Sequence, residues 1–497
     1  MIKTPTLSEI QNFKGKYPRQ LWSLFFSEMW ERFSFYGMRG MLAYFMVQQL
    51  LMRDDEAQLQ YGATQAFVYA FTFIGGLLAD KILGFRKSLV WGALLMILGS
   101  IILATNPKAF FFVGIGFTIV GTGFFKPNIS TMVGQLYKDN DSRRDAGFSM
   151  FYAGINLGAM LGGYLCVWIG KSYSWNLAFG LAAIVMTISL VTFLITKKQL
   201  GPIGLMPQRF DESGAPIPMR RWREVSVYLL SLAVIPLIVF MVAHTRYTDW
   251  FMYLIGPATL VYLLFEMTRY SAAENKKLAA ALVFILSSIV FWAFFEQSGG
   301  SLALFAANNL HDTFFGLRLD PNGVNNSSNA LFVILFAPLL GLGWLWLAKH
   351  RREPNTVVKF GLGFLFLGLS FFILYTTRFF ANEAGLTSLE IFTLAYFVMT
   401  FAELCLSPIG LSIMTKLSPK PLQGVMMGMW FLASAYGQYV AGILGAGMAL
   451  VHDNATQSEK LISYTQGYQN LAIYALVMGL ILIVASKGIK RLMQEVK

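Results

Sequence analysis

Residues Lys197 to Glu224 read KKQLGPIGLMPQRFDESGAPIPMRRWRE, a polar, basic, proline-bearing run between two long apolar tracts. Its reading as a loop divides the chain. Upstream of it, apolar runs long enough to cross a bilayer fall at about 21–50, 59–80, 86–105, 109–136, 145–170 and 174–196. Downstream, two apolar segments at about 225–243 and 250–268 precede a second set of six, at about 278–308, 328–348, 358–378, 388–414, 423–449 and 465–486. The order six, two, six predicts an all-α membrane protein with fourteen transmembrane helices. The expected domains are an N-terminal six-helix bundle over 1–196, a linker with two additional helices over 197–274, and a C-terminal six-helix bundle over 275–497.

Composition points the same way. Of 497 residues 56% are hydrophobic and only 13% charged, about half the charged fraction of an average soluble domain. Between the apolar runs there is no room for a sizeable soluble domain. Met1 to Arg19 is polar and basic, without an apolar core or a small-residue cleavage site, so the first span is expected to direct insertion itself.

The net charge of +13 raises the question of a nucleic-acid partner, and the positions of the basic residues answer it. Arg53, Lys108, Lys171, Arg246, Arg318, Arg378 and Lys460 fall on one side of the predicted spans, and Arg32, Arg39 and Lys126 lie within them. All other lysines and arginines, among them Arg86, Lys87, Arg143, Arg144, Arg220, Arg221, Arg223, Arg351 and Arg352, fall at the termini and in alternate loops. That asymmetry is the positive-inside pattern, with both termini cytoplasmic, and it leaves no role for nucleic acid. Cys166 and Cys405 lie inside apolar helices, where thiols pack.

The charges within the spans carry the functional reading. In SEMWERFSFYG, Ser27 to Gly37, the residues Glu28, Glu31 and Arg32 stand at i, i+3 and i+4, and the stripe continues through Phe35, Tyr36 and Arg39. Four charges facing lipid at about 3 kcal/mol each would cost on the order of 12 kcal/mol, comparable with the whole stability of a fold. They must therefore face the protein interior or a hydrated cavity. Lys126 lies in GTGFFKPNIS, Glu296 in FWAFFEQSGGS and Glu403 in FAELCLSPIGLS. The first half thus carries an excess of positive charge in its interior and the second half only negative charge. A cavity between them suits a zwitterion, carboxylate on the first wall and ammonium on the second. One carboxylate is left without a cation in the empty site, and a proton can neutralise it. His244, His311, His350 and His452 all lie in or beside loops, so carboxylates are the expected proton carriers. Tyr36, Tyr69, Asn156, Asn329, Trp430 and Phe431 supply amide and aromatic groups in the same spans.

Two bundles joined by a basic linker resemble the layout of the major facilitator superfamily, whose substrate site lies between the halves at mid-membrane. The run GGLLADKILGFRK, Gly75 to Lys87, resembles that superfamily's loop signature, in which Asp80, Arg86 and Lys87 would form a gate-side charge cluster. More specifically, EMWERFSFYG is similar to the ExxERFxYYG signature of the proton-coupled oligopeptide transporter (POT, or peptide transporter) family. GTGFFKPNIS, FYAGINLG, FWAFFEQSGGS and ELCLSPIGLS follow in that family's order along nearly the whole chain. The added helix pair resembles that of prokaryotic members.

This resemblance implies symport of di- and tripeptides with protons as coupling ion, no other cofactor, and a monomer in the inner (plasma) membrane. It implies that Glu28, Glu31 and Arg32 couple protons with Lys126 as charge partner, and that Arg39 pairs with Glu296. Protonation of Glu296 would free Arg39, which with Lys126 would receive the peptide carboxylate. Glu403, beside Asn329, would hold the ammonium group, Tyr36, Tyr69 and Asn156 the peptide backbone, and Trp430 would line a side-chain pocket. Two residues depart from the family pattern: Phe35 where a tyrosine is usual, and Ala330 in NNSSNALFVI where a proline often follows the asparagine.

Other functions remain as alternatives. A permease or drug transporter for another small substrate could use the same scaffold, although an anion carrier gains little from Glu296 and Glu403. An enzyme using Glu28 and Glu31 as acid and base would lack a metal-ligand cluster and a Ser-His-Asp set, and a non-transporting peptide sensor needs no coupling charges. The phosphate-loop-like GKSYS at Gly170 lacks the spaced upstream glycine, so no nucleotide is expected to drive the process.

Overall fold

The computed structural model describes residues 4–138, 141–206, 209–210, 216–217, 221–406, 410–450 and 455–494. Ser407, Pro408 and Ile409 of the ELCLSPIGLS run and Arg220 of the linker lie outside them. The chain is helical nearly throughout. A short helix α1 (Leu7–Gln11) is followed by α2 (Arg19–Gln48), α3 (Asp54–Leu78), α4 (Phe85–Thr105), α5 (Phe111–Gln135), α6 (Arg144–Ser172) and α7 (Trp175–Thr196). Next come α8 (Arg221–Ala243) and α9 (Thr245–Met267), then α10 (Ala272–Phe295), α11 (Ser301–Asn309), α12 (Pro321–Lys349) and α13 (Thr356–Thr376). The last are α14 (Leu389–Leu406), α15 (Gly410–Leu417), α16 (Gln423–Met448) and α17 (Gln457–Met493). Two-residue hairpins, Arg209–Phe210 with Pro216–Ile217 and Thr313–Phe314 with Leu317–Arg318, are the only strands among the described residues.

In lipid a helix satisfies its own backbone groups, which is why apolar runs of this length fold this way. Among the described residues, eleven helical segments are long and apolar enough to cross a membrane. Helices α2, α5 and α16, with 30, 25 and 26 residues, also have the length to cross, and two of them hold the charges of interest. By contacts the chain forms two compact units, Met1–Met41 with Phe67–Ala243, and Leu42–Ala66 with His244–Lys497.

In the first unit α4 lies against α5 and α7, and α8 against α5. Helix α6 meets α2 through glycine. A Cβ at Gly158 or Gly162 would strike the backbone carbonyl of Met29 or Phe33, so these positions admit α2 at backbone distance and fix the face carrying its charges. Pro127 in α5 has no N–H to offer the carbonyl of Gly123. Gly75 of α3 packs directly over that freed carbonyl. Asn128 Nδ2 and Ser88 Oγ both donate to the next carbonyl, that of Phe124, at 2.6 and 3.0 Å. The KPN run therefore holds a locally opened helix in one geometry.

In the second unit α13 lies against α14 and α17, α10 against α16, and α12 against α14. The apolar run expected as one span over 278–308 is interrupted. Helix α10 ends at Phe295, a 3₁₀ turn covers Glu296–Gly299, and α11 begins at Ser301. Here the Tyr61 hydroxyl and Gln58 Oε1 occupy the space where Gly299 and Gly300 would carry a Cβ. Helix α12 restitches the break: Asn325 Nδ2 donates to Ser298 O at 2.9 Å and Asn322 Nδ2 to Ala303 O at 2.7 Å. The twelfth span, expected over 388–414, carries α14 and α15 on either side of residues 407–409, and the last helix extends well beyond 465–486.

The added pair does not behave as one module. Trp91 Nε1 on α4 donates to Ser231 Oγ of α8 at 2.9 Å, within the first unit. In the second unit Gly256 N of α9 donates to the Tyr436 hydroxyl at 2.8 Å, and the Tyr439 hydroxyl donates to Asp249 Oδ1 at 2.5 Å. One of the boundaries between the units falls between Ala243 and His244.

Candidate functional site

The stripe on α2 has a sealed part and an open part. Glu28, Glu31 and Arg32 are 1%, 0% and 2% exposed. Arg32 Nε donates to Glu28 Oε1 at 2.7 Å and lies 2.8 Å from Glu31 Oε2. Two carboxylates thus share one guanidinium nitrogen. Neither oxygen of Glu31 receives a hydrogen bond of good geometry from a described residue, and Glu28 Oε2 and Arg32 Nη2 are likewise unsatisfied. Such a cluster is costly to keep fully ionised away from water. One turn away, Ser189 Oγ of α7 donates to Ser27 O at 2.6 Å, so the helix carrying the cluster is pinned.

Tyr36 and Arg39, one and two turns further along, are half-buried, as are Tyr69 on α3 and Lys126 on α5. Lys126 Nζ lies 4.5 Å from the Tyr69 ring centre and 5.9 Å from that of Phe35. The Arg32 guanidinium is 5.7 Å from the same Phe35 ring, and that of Arg39 is 5.6 Å from Tyr36. Phe35 thus offers two cations a ring and no hydroxyl. Lys126 is within electrostatic reach of Glu28, Glu31, Arg32 and Arg39. Asn156 on α6 is buried, and its Nδ2 donates to Tyr152 O one turn back.

The cytoplasmic-end residues expected as a charge cluster are not assembled as one. Asp80 is exposed on a π-turn, Ala79–Leu83, that extends α3. Arg86 donates instead to the carbonyls of Ile203 and Gly201, both at 2.6 Å, and Lys87 pairs with Glu224 at 2.6 Å. A guanidinium at a helix end takes whichever acceptors the chain folds against it, and here the start of the linker folds there.

In the second unit Glu296 is 4% exposed at the break between α10 and α11. Next to it, Gln297 Nε2 donates to Ala293 O and Ala441 O at 3.1 and 3.0 Å, and its Oε1 accepts from Ser301 at 2.6 Å. Asn329 on α12 and Glu403 on α14 are brought together: Asn329 Nδ2 donates to Glu403 Oε2 at 3.0 Å and lies 3.3 Å from Thr400 Oγ1. Both are half-buried. Ala330, in place of the usual proline, is buried and leaves α12 uninterrupted at Asn329. Trp430 of α16 packs its indole onto Gly410, where a Cβ would collide with it. The residues therefore fall into two sets, with Glu28, Glu31, Arg32, Tyr36, Arg39, Tyr69, Lys126 and Asn156 in the first unit and Glu296, Asn329, Glu403 and Trp430 in the second.

Other polar contacts were not anticipated from sequence. Asp54 at the start of α3 accepts from Lys460 Nζ of α17 at 3.1 Å, and the Tyr396 hydroxyl donates to Asn325 Oδ1 at 2.6 Å. The polar N-terminal turn of α3, DDEAQLQ, is the one signal that could have marked the first.

A family profile described as "PTR2: POT family" matches residues 86–461. The "Uncharacterized transporter YclF" of Bacillus subtilis (strain 168) is 34% identical, with 97% of this chain and 96% of that protein covered. The "Di-/tripeptide transporter" of Lactococcus lactis subsp. lactis (strain IL1403) is 33% identical, with 97% of each covered. Among solved structures, the peptide transporter POT in complex with sulfate superposes with a TM-score of 0.82 at 33% identity, covering 99% of this chain and 100% of that one. A structure described under "substrate recognition in proton dependent oligopeptide transporters" superposes with a TM-score of 0.80 at 27% identity, covering 95% and 99%. Matched by that profile over most of its length and 33–34% identical to these relatives over nearly all of it, the chain belongs to the POT family.

Proposed function

We propose that this protein imports di- and tripeptides across the inner membrane in symport with protons, by alternating access of its two bundles. The supporting observation is the sealed Glu28–Glu31–Arg32 cluster, in which two carboxylates share one guanidinium and Glu31 lacks a donor of its own. Adding or removing one proton there changes the charge balance around Arg32 and Lys126. Arg39 and Lys126, half-open to water, receive the peptide carboxylate. Glu403, steadied by Asn329, receives the ammonium group, and protonation of Glu296 releases Arg39 for the carboxylate. Tyr36, Tyr69 and Asn156 contact the peptide backbone, and Trp430 lines a side-chain pocket. Peptide recognition in relatives supports this reading, since the Lactococcus protein is named a di-/tripeptide transporter. All fourteen long helices cross the membrane, both termini are cytoplasmic, the working unit is a monomer, and no cofactor other than the proton takes part.

Reconstituted into liposomes, the protein should accumulate labelled dipeptide under an inward proton gradient. One proton per neutral peptide supplies about 2.3 kcal/mol per 100 mV, enough for more than about tenfold accumulation. Glu31→Gln should abolish that accumulation while retaining counterflow of peptide. Normal gradient-driven accumulation by the variant would remove Glu31 from the coupling role, and no uptake of any di- or tripeptide by the unaltered protein would remove the substrate.

A further inference from the structure

Between α4, α8 and the start of the linker lies a pocket of about 400 Å³ lined by Arg86, Lys87, Val90, Trp91, Leu94, Lys197, Leu205 and Tyr228. It lies wholly within the first unit and shares no residue with the α2 stripe. One end is cationic. Among the described residues the Arg86 side chain bonds only to the neutral carbonyls of Ile203 and Gly201, Lys87 is balanced by Glu224, and Lys197 makes no ion pair. Among the described residues the carboxylate of Glu224 thus leaves two of the three cations uncompensated. The middle is aromatic and rigid: the Trp91 and Tyr228 rings lie 4.8 Å apart, Trp91 is bonded to Ser231, and the Tyr228 hydroxyl donates to Glu224 at 3.1 Å.

Beyond the aromatics the lining is apolar and continues outside the pocket. Val90, Leu94, Leu98 and Ile101 recur at helical spacing on α4, and the last three are 41%, 47% and 46% exposed. From Val90 to Ile101 the rise is about 16 Å, close to half of the ~30 Å hydrocarbon thickness. Cations, then an aromatic pair, then an apolar track of one-leaflet length is the polarity sequence of a phospholipid, headgroup to acyl chain. Basic pockets between helices at the cytoplasmic face are sites of anionic lipid headgroups.

We infer that this pocket binds one anionic phospholipid, its phosphate at Arg86 and Lys197 and one acyl chain along Val90–Ile101. The lipid fills the seam between α4 and α8 and so helps hold the first added helix to the bundle. The inference does not depend on peptide transport, because lipid binding is measured without peptide or gradient.

The test uses the full chain in detergent, titrated with phosphatidylglycerol, phosphatidylcholine or inorganic phosphate and followed by native mass spectrometry and thermal unfolding. Phosphatidylglycerol should bind one-to-one and raise the thermal midpoint, whereas phosphatidylcholine and inorganic phosphate should do neither. Lys197→Glu should weaken phosphatidylglycerol binding by about tenfold or more, and Leu94→Gln should weaken it through the acyl track. Both variants should keep the unaltered protein's midpoint in phosphatidylcholine. Equal binding of both lipids, undiminished phosphatidylglycerol binding by Lys197→Glu, or an equal thermal shift from inorganic phosphate alone would overturn the assignment. If either variant unfolds in phosphatidylcholine, the unaltered protein's preference between the lipids decides the matter by itself.

Discussion

At the residue scale, burial sorts the charges. Glu28, Glu31 and Arg32 are shut away from water, while Arg39, Lys126 and Glu403 are half-open. If peptides are carried as proposed, the first group lies out of their reach and the second within it. Glu403 is the sharpest case because a neutral partner is identified: Asn329 donates to its Oε2, a bond that orients the carboxylate without cancelling its charge. Glu403→Ala should therefore weaken competition by free dipeptides about tenfold or more, the scale of a charge-assisted hydrogen bond. N-acetylated dipeptides should lose much less. Equal losses for both, measured by inhibition of labelled-peptide uptake, would move the ammonium site elsewhere. The presence of these charges was legible in sequence because ionised side chains are expensive in apolar spans. Their partners were less so: Asp80 was expected beside Arg86, whereas the linker carbonyls of Gly201 and Ile203 take that place. A side chain's choice among acceptors depends on which backbone arrives near it, and no local pattern encodes that.

At the scale of elements, close approach is carried by single glycines. Gly75 of α3 sits on the carbonyl that Pro127 leaves free in α5, and a Cβ there would also come within 2.8 Å of Phe124 N. Its neighbour Gly76 faces only the Pro127 ring, with room at 3.4 Å. Gly75→Ala should push α3 off α5 and destabilise by about 1–3 kcal/mol, as overpacking does, and it should displace Lys126 from Tyr69. Gly76→Ala should be tolerated. Thermal unfolding of both variants checks the pair, and equal midpoints would mean that this contact does not order the helices. Helix positions were legible from hydropathy because a bilayer demands long apolar runs. The π-turn at Ala79–Leu83 and the break at Glu296–Gly300 were not, because both are set by what packs against the helix.

At the scale of the molecule, distant stretches of chain are tied together by a few polar contacts. Arg143, in the loop between α5 and α6, donates through Nη1 to Phe13 O at 3.0 Å and to Gly15 O at 3.1 Å, and it pairs with Asp141 at 2.8 Å. The side-chain and then the backbone hydrogen bonds from Arg143 hold the Asp141 carboxyl down at about 2. A carboxyl lowered in the folded state contributes stability above its unfolded value of about 3.9, and the contribution disappears as pH falls through about 2. Between about pH 5 and 8 Asp141 therefore keeps its charge and the clamp stays closed. Asp141→Asn should lower the thermal midpoint slightly at neutral pH and leave the pH profile of peptide uptake unmoved. A shifted profile would place Asp141 in the proton path.

The added helices contribute at this scale too. Helix α8 is bonded within the first unit and α9 within the second, with only His244 between them. Cutting the polypeptide at His244 should therefore leave each added helix with its own unit, α8 held through the Trp91 indole and α9 through the Tyr436 hydroxyl.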